Sequence, residues 1–415
     1  MSLFHAIGLI ITLVALFGYL NSRFIGLPDV IGITAIGLVV SVAVAIVGSH
    51  NPAVARWAQQ AVAEIDFSKV VFHGMLGMLL FAGSLHVDIR DIRQEKWIIL
   101  FLATVGLTLS TSLIGGGFYV GAHLLGFGLP LASCLLFGAL ISPTDPIAVL
   151  GILRRVGVAK RLEARIAGES LFNDGTAVVL FLTLLNLATS PDPVAPSAVT
   201  LLLVQAVLGG VLMGLVLGAL GNYLMKGIDS YPVEILITFS MAIAGYALAD
   251  TLHASGPIVV VVMGLMVGNQ GKTSAMSDLT RHHLFAFWEL IDELLNLLLF
   301  GLIGLEVIAL SLSFDSLLPG LLAIPMVLLA RWISVGIPIT VMRAFHAFTP
   351  HSITIMTWGG LRGGISVALA LSLPDVPGRK TIVAATYVVV IFSILVQALT
   401  MGPLVRRLAR NPPSA

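Results

Sequence analysis

Four side chains of one apolar segment have the types and spacing that ion chemistry needs. The run Gly168-Glu-Ser-Leu-Phe-Asn-Asp-Gly175 supplies two carboxylates, a hydroxyl and an amide. In a helix, Ser170 and Asp174 lie on one stripe of the surface, and Glu169 and Asn173 lie on the next. A charged side chain inside a membrane costs about 2.5–3.5 kcal/mol on insertion scales, so charges that are placed there are candidate functional groups.

Two further apolar segments are interrupted in the middle, and each interruption contains an ionisable residue. Pro143-Thr144-Asp145-Pro146 divides the first, and Gly359-Gly360-Leu361-Arg362-Gly363-Gly364 divides the second. The prolines remove helix hydrogen bonds, and each glycine weakens a helix by about 1 kcal/mol relative to alanine. Both helices are therefore predicted to unwind in mid-membrane. The alternative is a pair of packing kinks, which proline and glycine also produce in membrane helices.

Together these segments offer carboxylates, hydroxyls and the main-chain carbonyl oxygens that unwinding releases. Such hard oxygen ligands suit Na⁺, K⁺ or H⁺, and the sequence has no Cys/His set of the kind that zinc or copper needs. The residues therefore predict a site for a monovalent cation or a proton at the broken helices.

Membrane helices must position these residues, because the composition is not that of a soluble domain. The chain is 58% hydrophobic and 10% charged, against about 45–50% and about 25% in soluble domains. A soluble enzyme is thereby excluded, and the net charge of +1 gives no indication of a nucleic-acid partner. With a window of roughly 20 apolar residues, we predict an all-α polytopic membrane protein with thirteen transmembrane helices, near residues 3–20, 29–48, 68–86, 97–120, 129–152, 166–188, 198–225, 232–252, 255–270, 284–309, 317–342, 351–372 and 381–404.

The two interrupted segments are the fifth and the twelfth, so they stand seven segments apart. Spans 1–6 and 8–13 can therefore be two repeats of inverted topology with broken, crossing helices 5 and 12, and matching breaks of this kind point to a transporter's ion site. We predict a single transmembrane domain over residues 1–415. Repeat one covers about 3–188, a linker helix about 198–225 and repeat two about 232–404, followed by a short cytoplasmic tail at 405–415.

The distribution of lysine and arginine predicts the orientation. With the N-terminus outside, the outer connections hold only Arg56, Lys69, Arg379 and Lys380 of the 22 basic residues. Two more lie inside segments, and the remaining sixteen fall on the cytoplasmic side, as the positive-inside rule requires. We therefore expect a multi-pass protein of the cell membrane with its N-terminus outside and its C-terminus in the cytoplasm.

Five motifs, in the same order along the chain, resemble those of the monovalent cation:proton antiporter family. They are Ser142-Pro-Thr-Asp-Pro146, Gly168-Glu-Ser-Leu-Phe-Asn-Asp-Gly175, Phe287-Trp-Glu-x-x-Asp-Glu-Leu-Leu-Asn296, Ile303-Gly-Leu-Glu306 and Gly359-Gly-Leu-Arg-Gly-Gly364. The Asn173-Asp174 pair is similar to that of NhaP-like sodium/proton antiporters, the prokaryotic relatives of mammalian sodium/proton exchangers. The resemblance implies a homodimer with a six-helix core domain, elevator-like alternating access and a role in pH homeostasis. The partners it implies are membrane lipid and monovalent cations, and no cofactor is expected beyond the transported ions, Na⁺ or Li⁺ and H⁺.

The resemblance also implies a role for each matching residue of the site. Asp174 is the carboxylate that binds either the cation or the proton. Ser170 and the Thr144 main chain are cation ligands, so the Na⁺ site forms at Asp174, Ser170 and Thr144. Asp145 lies nearby and acts through a water molecule, and Asn173 orients the site without titrating.

Two arginines inside predicted spans need partners. The resemblance implies that Glu169 pairs with Arg362 of the second interruption and that this core ion pair is structural. Arg331 in segment 11 also needs a partner at depth, and the acids of segment 10 are the natural candidates. Breaking a buried ion pair costs about 3–5 kcal/mol, so substitution at Glu169 can mimic a loss of transport through a loss of folding.

Other polar residues permit two interpretations each. One helical face of segment 10 either lines a cytoplasmic funnel that attracts cations or serves structural hydrogen bonding, and it carries Glu289, Asp292, Glu293 and Asn296. In the middle of segment 3, where some archaeal relatives have a glutamate that helps to bind the ion, His73 is the only ionisable residue. It is either a pH-sensitive residue or a packing histidine.

The leading hypothesis is a secondary antiporter that exchanges Na⁺ or Li⁺ for H⁺, with 1:1 electroneutral stoichiometry because Asn173 cannot titrate. A K⁺/H⁺ antiporter with the same mechanism is the alternative, since ion choice depends on cavity size and ligand number. A cation channel would need a continuous pore. An intramembrane hydrolase would need a catalytic dyad or a motif such as H-E-x-x-H, which is absent from the sequence. The chain is therefore not expected to be an enzyme.

Overall fold

The computed structural model describes residues 3–51, 53–54, 56–58, 67–157, 160–189, 196–269, 276–308, 314–346 and 348–410. The secondary structure of these residues is helical, and no strand occurs among them. Fifteen helices of seven or more residues follow one another in this part of the chain: α1 (Leu3–Leu20), α2 (Asp29–His50), α3 (Phe67–Leu85), α4 (Ile89–Leu124), α5 (Leu131–Ile141), α6 (Ile147–Val156), α7 (Lys160–Thr189), α8 (Pro196–Lys226), α9 (Tyr231–Thr251), α10 (Gly256–Met266), α11 (Asp278–Glu306), α12 (Phe314–Met342), α13 (Ser352–Trp358), α14 (Gly364–Leu371) and α15 (Arg379–Leu408).

Helix boundaries follow local sequence signals. Ser255 accepts a hydrogen bond from the backbone of Ile258 at the start of α10, and Ser277 caps α11 in the same way. Gly157 ends α6 in the left-handed conformation with φ of 76°, which glycine adopts without a steric penalty. Within the described residues, nine helices are long and apolar enough to cross a membrane. The predicted all-α polytopic fold is confirmed, whereas the count of thirteen spans and the inverted repeat stay predictions.

Both predicted interruptions are real breaks in the helices. The first lies between α5 and α6 at residues 142–146, and the second lies between α13 and α14 at residues 359–363. The two extended stretches meet, because the backbone N–H of Asp145 donates to the carbonyl oxygen of Leu361 at 2.8 Å. Prolines and glycines therefore unwind the chain here instead of only bending it.

The helices pack in two groups. The core group consists of α4–α7 and α12–α15, with α4 against α5 and α12, and α12 against α15. The scaffold group consists of α1–α3 and α8–α11, with α11 against α2 and α10 against α3 and α8. The groups meet where α7 packs on α10 and α14 packs on α3 and α11. Both breaks thus lie in the core group, and α14 brings the second break up to the scaffold group.

Small residues allow close helix contact inside the scaffold group. A Cβ atom at Gly304 of α11 would lie 2.9 Å from the carbonyl oxygen of Thr34 and 3.1 Å from Cα of Gly37 on α2. Ser41 also donates its hydroxyl to the Gly304 carbonyl oxygen at 2.6 Å. In a membrane, where apolar burial does not drive helix association, such close packing and hydrogen bonds hold helices together.

Candidate functional site

Asp145 lies where two half-helices begin. Its Oδ1 accepts the backbone N–H of Ile147 at 3.0 Å, at the start of α6. Gly363 immediately precedes α14, and a side chain there would overlap the Asp145 carboxylate. Helix N-termini carry about half a positive charge each, so a carboxylate at this point compensates the partial charges of both helix ends. The sequence signal for this arrangement is the placement of Asp145 and Gly363 at the ends of the two breaks.

Two arginines donate hydrogen bonds to carbonyl oxygens at the C-terminal, partially negative ends of the half-helices. Arg362, which is 1% exposed, donates from Nη1 to the carbonyl oxygens of Ser142 at 2.9 Å and Pro143 at 3.1 Å, just after α5. Arg331 donates from Nε to the carbonyl oxygen of Met356 at 3.4 Å, in the last turn of α13. Both groups of carbonyl oxygens have lost helical partners through unwinding, and a cation at a helix C-terminus is stabilising.

The pairing of Glu169 differs from the sequence prediction. Arg331, and not Arg362, binds Glu169 through two parallel hydrogen bonds, Nη1 to Oε1 and Nη2 to Oε2, the second at 2.9 Å. The predicted Glu169–Arg362 pair is therefore wrong, as is the expected pairing of Arg331 with the acids of segment 10. Arg362 lies within the unwound stretch, where its Nη1 donates to two released carbonyl oxygens. Arg331 lies in the continuous helix α12 and needs a carboxylate.

The five residues predicted for ion binding come together beside the crossing. Thr144 Oγ1 lies 3.1 Å from Ser170 Oγ, and Asn173 donates from Nδ2 to Thr144 Oγ1 at 3.0 Å. These three side chains are at most 3% exposed, and Asp174 is 9% exposed. The helix α7 supplies three of the residues from adjacent stripes, as its spacing predicts. Their roles as ligands stay predictions, because the geometry shows proximity and hydrogen bonding only.

A cavity of about 620 Å³ leads from the bundle surface to Asp145 and Asp174. The predicted funnel residues of α11 line it, and they are Glu289, Asp292, Glu293 and Asn296. Asn296 donates from Nδ2 to Asp292 Oδ1 at 3.2 Å, so this face also forms structural hydrogen bonds. The side chain of His73 lies outside the described residues, and its two interpretations stay open.

Sequence reasoning missed several lining residues. Asp88, Asp91 and Glu163 add carboxylates to the cavity wall, and Ser366 adds a hydroxyl. The three acids lie near the ends of predicted spans, where charged side chains are ordinarily solvated. Ser366 was missed because no residue of the second broken helix was predicted to face the ion. Only the folding of the chain places these residues along one cavity.

Comparisons with known proteins identify the family. The model of the family described as sodium/hydrogen exchanger, transmembrane, matches residues 10–407. The chain is 48% identical over 408 residues to the Na⁺/H⁺ antiporter NhaP of Pseudomonas aeruginosa, covering 97% of this chain and 96% of that protein. The chain belongs to the sodium/hydrogen exchanger family. This exchanger is therefore a multi-pass membrane transporter and not an enzyme, and the predicted resemblance is confirmed.

Other relatives agree with this assignment. The Na⁺/H⁺ antiporter NhaH of Halobacillus aidingensis is 34% identical over 387 residues, with 92% of each chain covered. The solved structure of the sodium proton antiporter MjNhaP1 from Methanocaldococcus jannaschii at pH 8 superposes with a TM-score of 0.76 over 99% of this chain and 100% of that chain. Its sequence identity is 21%, so this likeness shows the fold alone.

The Glu169–Arg331 pair gives a first prediction about stability. Glu169→Gln should lower the free energy of unfolding by about 3–5 kcal/mol, because it leaves the Arg331 guanidinium buried without its counter-charge. Thermal unfolding of the purified protein in detergent measures the loss, and Arg331→Met should give a similar one. The double variant should recover part of the stability, since neither charge then stays unpaired.

The matched control is the exposed pair of Arg281 and Asp278, whose side chains are 47% and 93% exposed at 2.9 Å separation. Arg281→Gln should change stability by less than about 1 kcal/mol. A Glu169→Gln protein that unfolds at the wild-type temperature would show that this ion pair does not brace α7 against α12.

Proposed function

We propose that the exchanger moves Na⁺ or Li⁺ in one direction and H⁺ in the other, by competition of the two ions for Asp174 with alternating access. The observation that carries the proposal is the position of the Asp174 carboxylate, nearly buried beside Ser170 and Thr144 at the inner end of an acidic cavity. The names of the Pseudomonas and Halobacillus relatives support sodium as the cation. Nothing supports the K⁺/H⁺ alternative.

A chain of hydrogen bonds orients the side chains of Asn173, Thr144 and Ser170. The Asn173 amide nitrogen can only donate, so Thr144 Oγ1 accepts from it, and Thr144 Oγ1 and Ser170 Oγ share a second hydrogen bond in which either hydroxyl can be the donor. Ser170 Oγ then keeps a lone pair for a cation that Asp174 holds. Asn173 thereby orients the side chains of Thr144 and Ser170 without carrying charge itself. Asp145 acts on the ion through a water molecule.

The stoichiometry follows from which carboxylates titrate. At the position next to Asp174 the chain carries Asn173, an amide that binds no proton. Asp174 is left as the one carboxylate that exchanges a proton for a cation. One Na⁺ then moves against one H⁺, and the cycle moves no net charge.

The proposal also covers the side of the membrane to which the cavity opens and the oligomeric state of the protein. The cavity opens beside Arg154 and Lys160, and the positive-inside rule assigns these residues to the cytoplasm. The described state is then inward-facing in the cell membrane, with the N-terminus outside and the C-terminus in the cytoplasm. The core group would move against a scaffold group that a homodimer holds in place. No cofactor takes part in this cycle.

The second prediction tests the central carboxylate. Asp174→Asn should abolish Na⁺-driven proton flux in proteoliposomes, because an amide of the same shape binds no proton at neutral pH. Folding should persist, and gel filtration with a thermal scan checks it. Asp375→Asn, at an exposed position between α14 and α15, is the matched control and should exchange at the wild-type rate. Robust exchange by folded Asp174→Asn protein would refute the mechanism.

The third prediction concerns pH. Because protons compete with Na⁺ for Asp174, lowering the pH should raise the apparent KM for Na⁺ and leave the maximal rate nearly unchanged. At alkaline pH the carboxylate loads protons poorly, so turnover should fall and the overall profile should be bell-shaped. A pH-sensitive dye in proteoliposomes at several Na⁺ concentrations measures both quantities. A maximal rate that collapses in acid at saturating Na⁺ would indicate a separate pH switch.

The fourth prediction concerns voltage. An uncompensated charge gains about 2.3 kcal/mol per 100 mV of membrane potential. A 1:1 exchange moves none, so a potential imposed with K⁺ and valinomycin should leave the rate and the equilibrium point unchanged. A severalfold change at roughly 100 mV would show that a second proton is carried, and Asp145→Asn would then test the first candidate.

A further inference from the structure

Ser366 carries a buried hydroxyl that has no partner among the described residues. The residue is 1% exposed in the first turn of α14, and its Oγ makes no hydrogen bond in this part of the chain. A serine in a helix ordinarily donates to a carbonyl oxygen three or four residues earlier. Ser372, at the other end of the same helix, does so to Leu369 at 2.8 Å. Gly363 and Arg362, three and four positions before Ser366, lie in the break, and Ser366 Oγ donates to neither carbonyl oxygen.

Ser366 lies in the wall of the ion pathway. Ser366 lines the cavity that reaches Asp145 and Asp174. Gly363 lies three residues earlier, on the same face of the turn, and the Asp145 carboxylate is packed directly against it. The hydroxyl therefore stands one helical turn above the point where the two breaks meet.

A buried polar group without a partner costs free energy, so its retention needs an explanation. A hydroxyl oxygen in the wall of a cavity that also reaches two carboxylates is a hard, neutral ligand of the kind that Na⁺ and Li⁺ prefer. All the ligands predicted from the sequence come from the first break and from α7. Ser366 would be a ligand from the second broken helix.

We infer that Ser366 donates an oxygen ligand to the transported alkali cation, from the α14 side of the crossing. This inference rests on the proposed exchange of Na⁺ for H⁺ at Asp174. It adds a ligand that changes the affinity for the cation and leaves the proton site intact, because Ser366 does not titrate.

The test compares Ser366→Ala with Ser366→Thr, which keeps the hydroxyl, and with Ser372→Ala, whose hydroxyl has its own partner. Each full-length protein is measured for Na⁺- and Li⁺-driven proton flux in proteoliposomes. Stabilisation by Na⁺ in a thermal scan in detergent gives a binding measurement that needs no turnover. If Ser366→Ala does not fold, Ser366→Cys replaces it, since sulfur has a similar size and is a poor ligand for Na⁺.

Ser366→Ala should raise the KM for Na⁺ and the Na⁺ concentration for half-maximal stabilisation by about three- to tenfold, as the loss of one polar contact to an ion predicts. The maximal rate should stay within about twofold, and the threonine variant and Ser372→Ala should match the wild type. Unchanged KM and unchanged stabilisation in Ser366→Ala would overturn the inference and leave the exchange mechanism standing. Absence of Na⁺ or Li⁺ exchange in the wild type would instead overturn the proposed function.

Discussion

Unwound backbone inside a membrane must have its partial charges compensated, and this requirement determines where the buried charges of the exchanger lie. The two breaks create four helix ends in the middle of the bundle. Asp145 stands at the two positive ends, Arg362 serves the carbonyl oxygens after α5, and Arg331 reaches the last turn of α13. Lipid offers no hydrogen-bonding partners at this depth, so protein side chains compensate the helix ends.

This compensation also holds the ion site in shape. Arg331 of α12 donates to a carbonyl oxygen of α13 and at the same time binds Glu169 on α7, so its guanidinium joins these three helices. Glu169 stands next to Ser170 on α7, and the chain of hydrogen bonds through Thr144 joins α7 to the first break. The residues proposed as ligands are therefore anchored on helices whose positions are set by structural charges, and in the proposed mechanism the charge that varies during transport is that of Asp174.

Much of this arrangement could be predicted from the sequence, for identifiable reasons. Proline and glycine act locally, so both breaks were predictable, and the 3.6-residue period placed Ser170 and Asp174 side by side. The partner of Glu169 could not be predicted in this way, because Arg331 and Arg362 offer the same chemistry and only the folded chain shows which of them lies against the Glu169 carboxylate. Ser366 escaped notice for a related reason, since the sequence alone does not show that it lacks the local partner that Ser372 has.

The balance of buried charge explains why such a site would couple its two ions. Arg331 offsets Glu169, and Arg362 and Asp145 contribute opposite charges at the crossing, so these four residues sum to zero. Asp174 adds one negative charge, which either Na⁺ or H⁺ neutralises. With neither ion bound, the core group would have to carry an uncompensated carboxylate through a medium of low dielectric, and that costs several kcal/mol. The loaded states are then the ones that move readily between the two sides. Exchange without leakage follows from the same electrostatics that fix the helix ends, and it requires no separate gate that senses occupancy.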